Sequence, residues 1–147
     1  MDDGKGVLVD PRGSRFGATV TVVVLAAALI LIPSPAASVL LVLQCLAFGA
    51  GGILGLRFQP YGWVFRKWIR PRLGPPSALE EQAPPRFAQI VGFGFILVAL
   101  AGLWLQAVPL ALVAVAFAWA AAFLNAVFGF CIGCEVYLMW KRASERG

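Results

Sequence analysis

Hydrophobic positions fall in four runs, at roughly 16–32, 36–56, 87–108 and 110–130, and polar residues gather between and outside them. Each run approaches the roughly 20 apolar residues that cross a bilayer as a helix, and none contains a charged side chain. The pattern predicts an all-α membrane protein, a single domain over 1–147. Its four transmembrane helices form two tandem helical hairpins joined by a central loop at 57–86.

The first run is read as a retained helix ended by Pro33 and Pro35. It exceeds the usual core of a signal peptide, and its leader carries Asp2, Asp3 and Asp10. The second run holds Gly49, Gly51, Gly52 and Gly55, and the Gly51-x-x-x-Gly55 spacing predicts close approach of another helix. Gln44 is expected to hydrogen-bond across helices there, and Cys45 to pack as a small hydrophobe. In the central loop Trp63, Phe65, Trp68 and Ile69 alternate with Arg66, Lys67 and Arg70. This predicts a short amphipathic segment lying in the membrane interface, with Pro71 limiting its helix. Pro75, Pro76, Pro84 and Pro85 then predict a stiff extended linker. After the fourth run, Tyr137, Trp140, Lys141 and Arg142 read as an interface anchor.

Composition supports the membrane reading: 61% of the chain is hydrophobic and 13% charged, against about a quarter charged in soluble domains. The net charge of +5 could suggest nucleic acid, but position argues against it. All twelve Lys and Arg lie in the N-terminal segment, the central loop and the tail, flanking the apolar runs. The two short loops, near 33–38 and 106–109, are uncharged. The positive-inside rule therefore places both termini and the central loop in the cytoplasm.

The chain also repeats itself. Arg15-Phe16-Gly17 opens the first pair of helices and Arg86-Phe87-Ala88 the second, and the pairs close with Gly55-Leu56-Arg57 and Gly129-Phe130-Cys131. Both hairpins enter from one side, so the repeats are expected to be parallel, about an axis along the membrane normal.

The chemistry is concentrated in Gly129-Phe130-Cys131-Ile132-Gly133-Cys134-Glu135. Histidine is absent from the sequence, so sulfur is the available reagent. A Cys-x-x-Cys pair can be a redox couple, half of a metal site, a sulfur carrier, or two small residues packing at a helix end. Zinc needs four ligands, and only Cys45 remains, so a zinc site would have to be shared between subunits; no other cofactor is expected. On an unbroken helix the two Cβ atoms would stand about 5–6 Å apart, beyond disulfide reach, and the C-terminal dipole would oppose thiolate formation. A reactive Cys131 therefore requires the helix to break near Gly129 and restart around Ile132. Glu135 is the one adjacent carboxylate and a candidate proton relay. Arg57, Arg66 and Lys67 occupy the same membrane level in the other repeat and could lower a thiol pKa; lipid headgroups are their competing partners. Asn125 precedes Cys131 by about 240° of helical rotation and is expected to face elsewhere and bond another helix.

Pro11-Arg12-Gly13-Ser14-Arg15-Phe16, Pro60-Tyr61-Gly62-Trp63-Val64-Phe65-Arg66, Arg70-Pro71-Arg72-Leu73-Gly74, Pro84-Pro85-Arg86-Phe87-Ala88-Gln89 and Phe123-Leu124-Asn125-Ala126, leading into Phe128-Gly129-Phe130-Cys131-Ile132-Gly133-Cys134-Glu135, carry a family resemblance over nearly the whole chain. The sequence resembles the bacterial, mainly actinobacterial, integral membrane family called domain of unknown function 4395. The resemblance implies a multi-pass protein of the inner (plasma) membrane and an association with thioredoxin-like and rhodanese-type sulfurtransferase proteins. Two functions stay open. Cys131 and Cys134, with Glu135, could form a cytoplasmic-side dithiol for thiol–disulfide exchange or sulfur trafficking, which would make the chain an oxidoreductase or sulfur-relay component. Alternatively, the chain is a non-catalytic anchor that recruits a soluble thioredoxin-like or rhodanese-type partner. In either case Trp63, Arg66, Lys67, Trp68 and Arg70 are expected to meet the lipid bilayer.

The charge pattern has a direct test. A membrane-impermeant thiol reagent should spare Cys131 and Cys134 in intact cells and label them once the cells are permeabilised. Labelling of Cys134 from outside would invert the topology.

Overall fold

The computed structural model describes residues 8–75, 79–81 and 83–146. The leader residues 1–7 and Pro76 of the linker lie outside the described residues.

Helix α1 (Pro11–Leu31) starts before its apolar run because Asp10 caps it. The Asp10 carboxylate accepts the Arg12 N–H at 2.9 Å, and Pro11 fits the first helical position, where no amide partner is needed. Arg12 also closes a 2.9 Å ion pair on Asp10 and donates to the Gly74 carbonyl at 2.9 Å. The side-chain hydrogen bonds from Arg12 to Asp10 hold the Asp10 carboxyl below the usual carboxylate range, against the opposing effect of burial.

Helix α2 (Pro35–Gly49) continues as a π-helical turn over Ala50–Leu54 and stops at Gly55, whose φ of 120° suits glycine alone. The close approach expected of these small residues is made at Gly51 and Gly52: a Cβ on Gly51 would lie 3.0 Å from Gln89 Oε1, and one on Gly52 would lie 2.6 Å from Ile90 Cγ1 and 2.9 Å from the Ile90 backbone nitrogen.

A 3-10 turn at Leu56–Phe58 leads to α3 (Pro60–Val64), a second π-helical turn (Phe65–Ile69) and α4 (Arg70–Leu73). The wide turn sits just before Pro71, whose ring and missing N–H do not fit an unbroken α-helical ladder. The helical stretch thus reaches past the proline expected to limit it. The linker is partly ordered as well, since strand β2 (Glu80–Glu81) pairs antiparallel with β1 (Leu8–Val9).

Helix α5 (Ala83–Trp104) takes Pro84 and Pro85 into its first turn, where their missing N–H groups leave no hydrogen bond unmade. Helix α6 (Val108–Phe128) returns beside it, with Gly102 against the Ala111 backbone. The last helix, α7 (Ile132–Arg146), starts where a reactive Cys131 requires a restart and carries the anchor residues Tyr137, Trp140, Lys141 and Arg142.

Helices α1, α2, α5 and the α6 segment are each long and apolar enough to cross a membrane once the π-helical turn is added to α2. Their shared core is Leu25, Ala28, Leu41, Cys45, Phe48, Ile96, Ala99, Ala114, Val115 and Ala118. Alanines at these contacts let backbones approach where lipid offers no hydrophobic driving force. Outward positions such as Val23, Leu43, Leu97, Val113 and Phe117 remain exposed and apolar, as a lipid-facing surface requires. Gln44 is fully buried and satisfied across helices: it donates to Thr21 Oγ1 at 3.3 Å and accepts from the Tyr61 hydroxyl at 2.7 Å.

The repeat noted in the sequence recurs as matched contacts. Helix α1 packs on α6, and α5 on α2. At each of these contacts an arginine from the start of one helix caps the end of the other. Arg86 donates to the carbonyls of Gly52 and Ile53 at 2.8 and 2.7 Å. Arg15 donates to those of Ala126 and Val127 at 3.2 and 3.4 Å. Phe16 meets Phe65 at 6.0 Å between ring centres, and Phe87 meets Tyr137 at 5.6 Å.

Gly52→Ala should therefore destabilise the bundle by about 1–3 kcal/mol, the range for overpacking a tight contact. Gly94, with open space where a Cβ would stand, should accept alanine with little effect. Unfolding in detergent micelles reads both; equal stabilities would show that the α2–α5 contact does not depend on Gly52.

Candidate functional site

The site is made by the way α6 ends. Gly129 adopts a left-handed φ of 68° and its N–H bonds back to the Asn125 carbonyl at 3.0 Å, which stops the helix. The chain resumes as α7 at Ile132. Cys131 stands immediately before that new helix, where a side chain can accept from the free amides of the first turn. It does so: the Cys134 N–H donates to Cys131 Sγ at 3.2 Å. The break that a reactive Cys131 requires is present.

Repeat one has the same device in another chemistry. Gln59 precedes α3 and its Oε1 accepts the Gly62 N–H at 2.8 Å, again three residues on. Gly55 and Gly129, both at positive φ, introduce the two caps.

Cys131 stands at the cap position of α7, its carbonyl accepting the Glu135 N–H at 3.1 Å, and forms a disulfide with Cys134, their Cα atoms 5.2 Å apart. Gly129 supplies the turn that permits this. Gly133 has a different role, since a Cβ on it would lie 2.7 Å from the Ala88 Cβ; it lets α7 press directly onto α5. Glu135 sits exposed in the first turn of α7, where the helix dipole favours a carboxylate.

Cys131, Cys134 and Glu135 line one cavity of about 770 Å³ that descends between α1, α5 and α6. Asn125 lines it too, contrary to the expectation that it would face away and bond another helix. The 240° rotation assumed a continuous helix, and the break at Gly129 removes that premise. Arg57 and Arg66 also differ from expectation. They line a separate cavity of about 670 Å³ with Arg70 and Arg86, so they do not act directly on the cysteines. The cation beside the disulfide is Arg15, which lines the cysteine cavity while capping the end of α6. Sequence reasoning placed Arg15 in the lead-in; its match to Arg86 across the repeat was the signal that could have found it.

Trp63, Arg66, Lys67, Trp68 and Arg70 lie together on the stretch from α3 to α4. Lys67 Nζ sits 4.7 Å above the Trp63 ring, and both tryptophans are exposed. Arg66 donates to the Arg57 carbonyl at 2.7 Å. Burial, and after it the neighbouring charge of Arg70, pushes the Arg66 pKa down. Among the described residues, no group of three or more His, Cys, Asp or Glu could hold a metal ion.

A family model described as Domain of unknown function (DUF4395) matches residues 9–142. The chain belongs to this family. In this DUF4395 chain the matched region takes in all four apolar helices, the disulfide and most of α7. Neither a curated protein nor a solved structure matches it.

Proposed function

We propose that Cys131 and Cys134 are a redox pair that carries out thiol–disulfide exchange at the membrane. The observation that carries this reading is the Cys134 N–H on Cys131 Sγ at the start of α7. An amide donor and the positive end of a helix both stabilise a thiolate more than a thiol, so both favour the Cys131 thiolate once the pair is reduced.

The reaction then runs in two steps. The Cys131 thiolate attacks a sulfur of a partner disulfide, forming a mixed disulfide and releasing the partner's first thiolate. Cys134 attacks Cys131 Sγ, closes the internal disulfide and releases the partner's second thiolate. Glu135 relays the Cys134 proton, and Arg15 keeps a positive charge beside the pair. The same thiolate could instead accept a sulfane sulfur, which would place the protein in sulfur trafficking. A thioredoxin-like or rhodanese-type protein is the partner of suitable chemistry. We place the protein in the plasma membrane with both termini and the disulfide at the cytoplasmic side.

The second reading is an anchor without chemistry. It is favoured by the separate arginine-lined cavity, a surface suited to an acidic partner. Cys131→Ser with Cys134→Ser separates the two: an anchor keeps its partner, and an exchange protein loses activity.

The exchange reading predicts the alkylation rate of Cys131 against pH, measured as Cys134→Ser in a Cys45→Ala background. The midpoint should fall below about 8.5, the value of a free cysteine, and that of Cys134 in the converse variant should lie higher. Both thiols titrating above that value would leave the anchor ahead.

Lipid contact of the α3–α4 stretch belongs to the same proposal. Replacing Arg66, Lys67 and Arg70 by Gln should remove about 1 kcal/mol per cation of attraction to anionic lipid and shift the depth of Trp63 and Trp68 seen by fluorescence quenching. Unchanged depth would count against an interfacial position.

A further inference from the structure

Exchange between the cysteines and a soluble protein accounts for the motif but leaves the cavity beneath it unused. That cavity runs from the disulfide down α6 past Asn125, Ala121 and Ala118 to Phe117. From Asn125 to Phe117 the helix falls by about 12 Å, well into the span. On α6 the cavity wall between them is made of small side chains, Ala118, Ala121 and Ala122, where larger ones would fill the space. At its deep end Phe95 and Phe117 stack with ring centres 6.3 Å apart and are 38% and 62% exposed. The cavity is thus open on the side that faces lipid.

Most of its polar groups lie at the cysteine end, where Ser14, Arg15, Gln89, Asn125 and Glu135 line it. Toward Phe117 the wall is alkyl and aromatic apart from Thr21, whose hydroxyl is spent on the Gly17 carbonyl. An occupant matching this profile has a compact polar head and a long hydrocarbon tail, and it enters from the membrane. A dithiol at the head position adds one more requirement, the ability to accept two electrons and two protons. Among membrane-soluble molecules, an isoprenoid quinone combines all three properties.

We propose that the cavity binds an isoprenoid quinone, which oxidises Cys131 and Cys134 to their disulfide. This inference rests on the redox reading of the pair. The dithiol gives up two electrons and two protons as the S–S bond forms. The quinone takes both, and its two carbonyl oxygens become the hydroxyls of the hydroquinone. A partner dithiol then attacks the Cys131–Cys134 disulfide, the reverse of the proposed exchange; it leaves as a disulfide and returns the pair to the dithiol. Arg15 and Asn125 provide N–H donors for the ring oxygen as negative charge builds on it, and Ala118 and Ala121 give the tail its channel.

The test uses the full chain, Cys45→Ala, purified in detergent, reduced and desalted without oxygen. One equivalent of ubiquinone-1 is added, whose fully substituted ring has no free position for thiol addition. Quinone absorbance and maleimide mass shift are followed together. The expected result is one hydroquinone for each Cys131–Cys134 disulfide formed. Ala121→Phe should slow this at least tenfold and leave reduction of the disulfide by dithiothreitol unchanged. Asn125→Leu, which keeps the channel open, should raise the quinone concentration needed for half-maximal rate. Quinone that stays oxidised while the cysteines still exchange with a small disulfide would overturn the inference and leave the exchange reading standing, with the cavity holding a lipid tail instead. Failure of both reactions would remove the two together. An unaltered rate in a folded Ala121→Phe would place the quinone elsewhere and also overturn the inference.

Discussion

The chemistry of this protein depends on one interruption of the backbone, the left-handed turn at Gly129 between α6 and α7. Without it the helix would carry both cysteines past its C-terminal end, into a field that disfavours thiolates and at a separation that disfavours a bond between them. With it, the same residues stand at the start of a new helix, and the dipole acts in the opposite direction. Three side groups share the work of holding the break. Gly129 adopts the conformation, Arg15 occupies the carbonyls of the preceding turn, and Gly133 fixes the new helix against Ala88.

The device is built twice. Arg86 on the carbonyls of Gly52 and Ile53, Gly55 at positive φ, and Gln59 capping α3 repeat the arrangement of Arg15, Gly129 and Cys131. In repeat one the capping atom is an amide oxygen, which is chemically inert; in repeat two it is sulfur. The paired arrangement also explains why α1 packs on α6 and α5 on α2: an arginine near the start of one helix needs carbonyl partners, and the end of the opposite helix supplies them.

The four apolar helices and the interhelical bond of Gln44 were legible in the sequence, because uninterrupted apolar runs and a lone buried amide have few alternatives in lipid. Helix starts were less legible. Hydropathy began α1 at Phe16 and α5 at Phe87, whereas capping at Asp10 and the prolines at 84 and 85 extend both outward. Helix α7 was legible only as a restart that a reactive Cys131 requires, because it mixes charged and apolar residues, as a surface helix does, and follows a motif rather than an apolar run. The place of Asn125 was misjudged for the same reason, since rotation angles carry no meaning across a break. The arginine that matters at the site was visible only as a repeat position, since a cation flanking a membrane helix has an ordinary explanation in headgroup contact.

The central claim is that Cys131 and Cys134 interconvert reversibly between dithiol and disulfide. Equilibrating the purified Cys45→Ala protein in glutathione and dithiothreitol buffers of graded potential, then trapping and weighing the thiols, tests it most directly. A single two-electron transition between about −120 and −270 mV, the range of thiol–disulfide exchange proteins, is the predicted result. A pair that stays oxidised below about −300 mV would be a structural bridge, and a pair that never closes would be two packing residues; either would contradict the account.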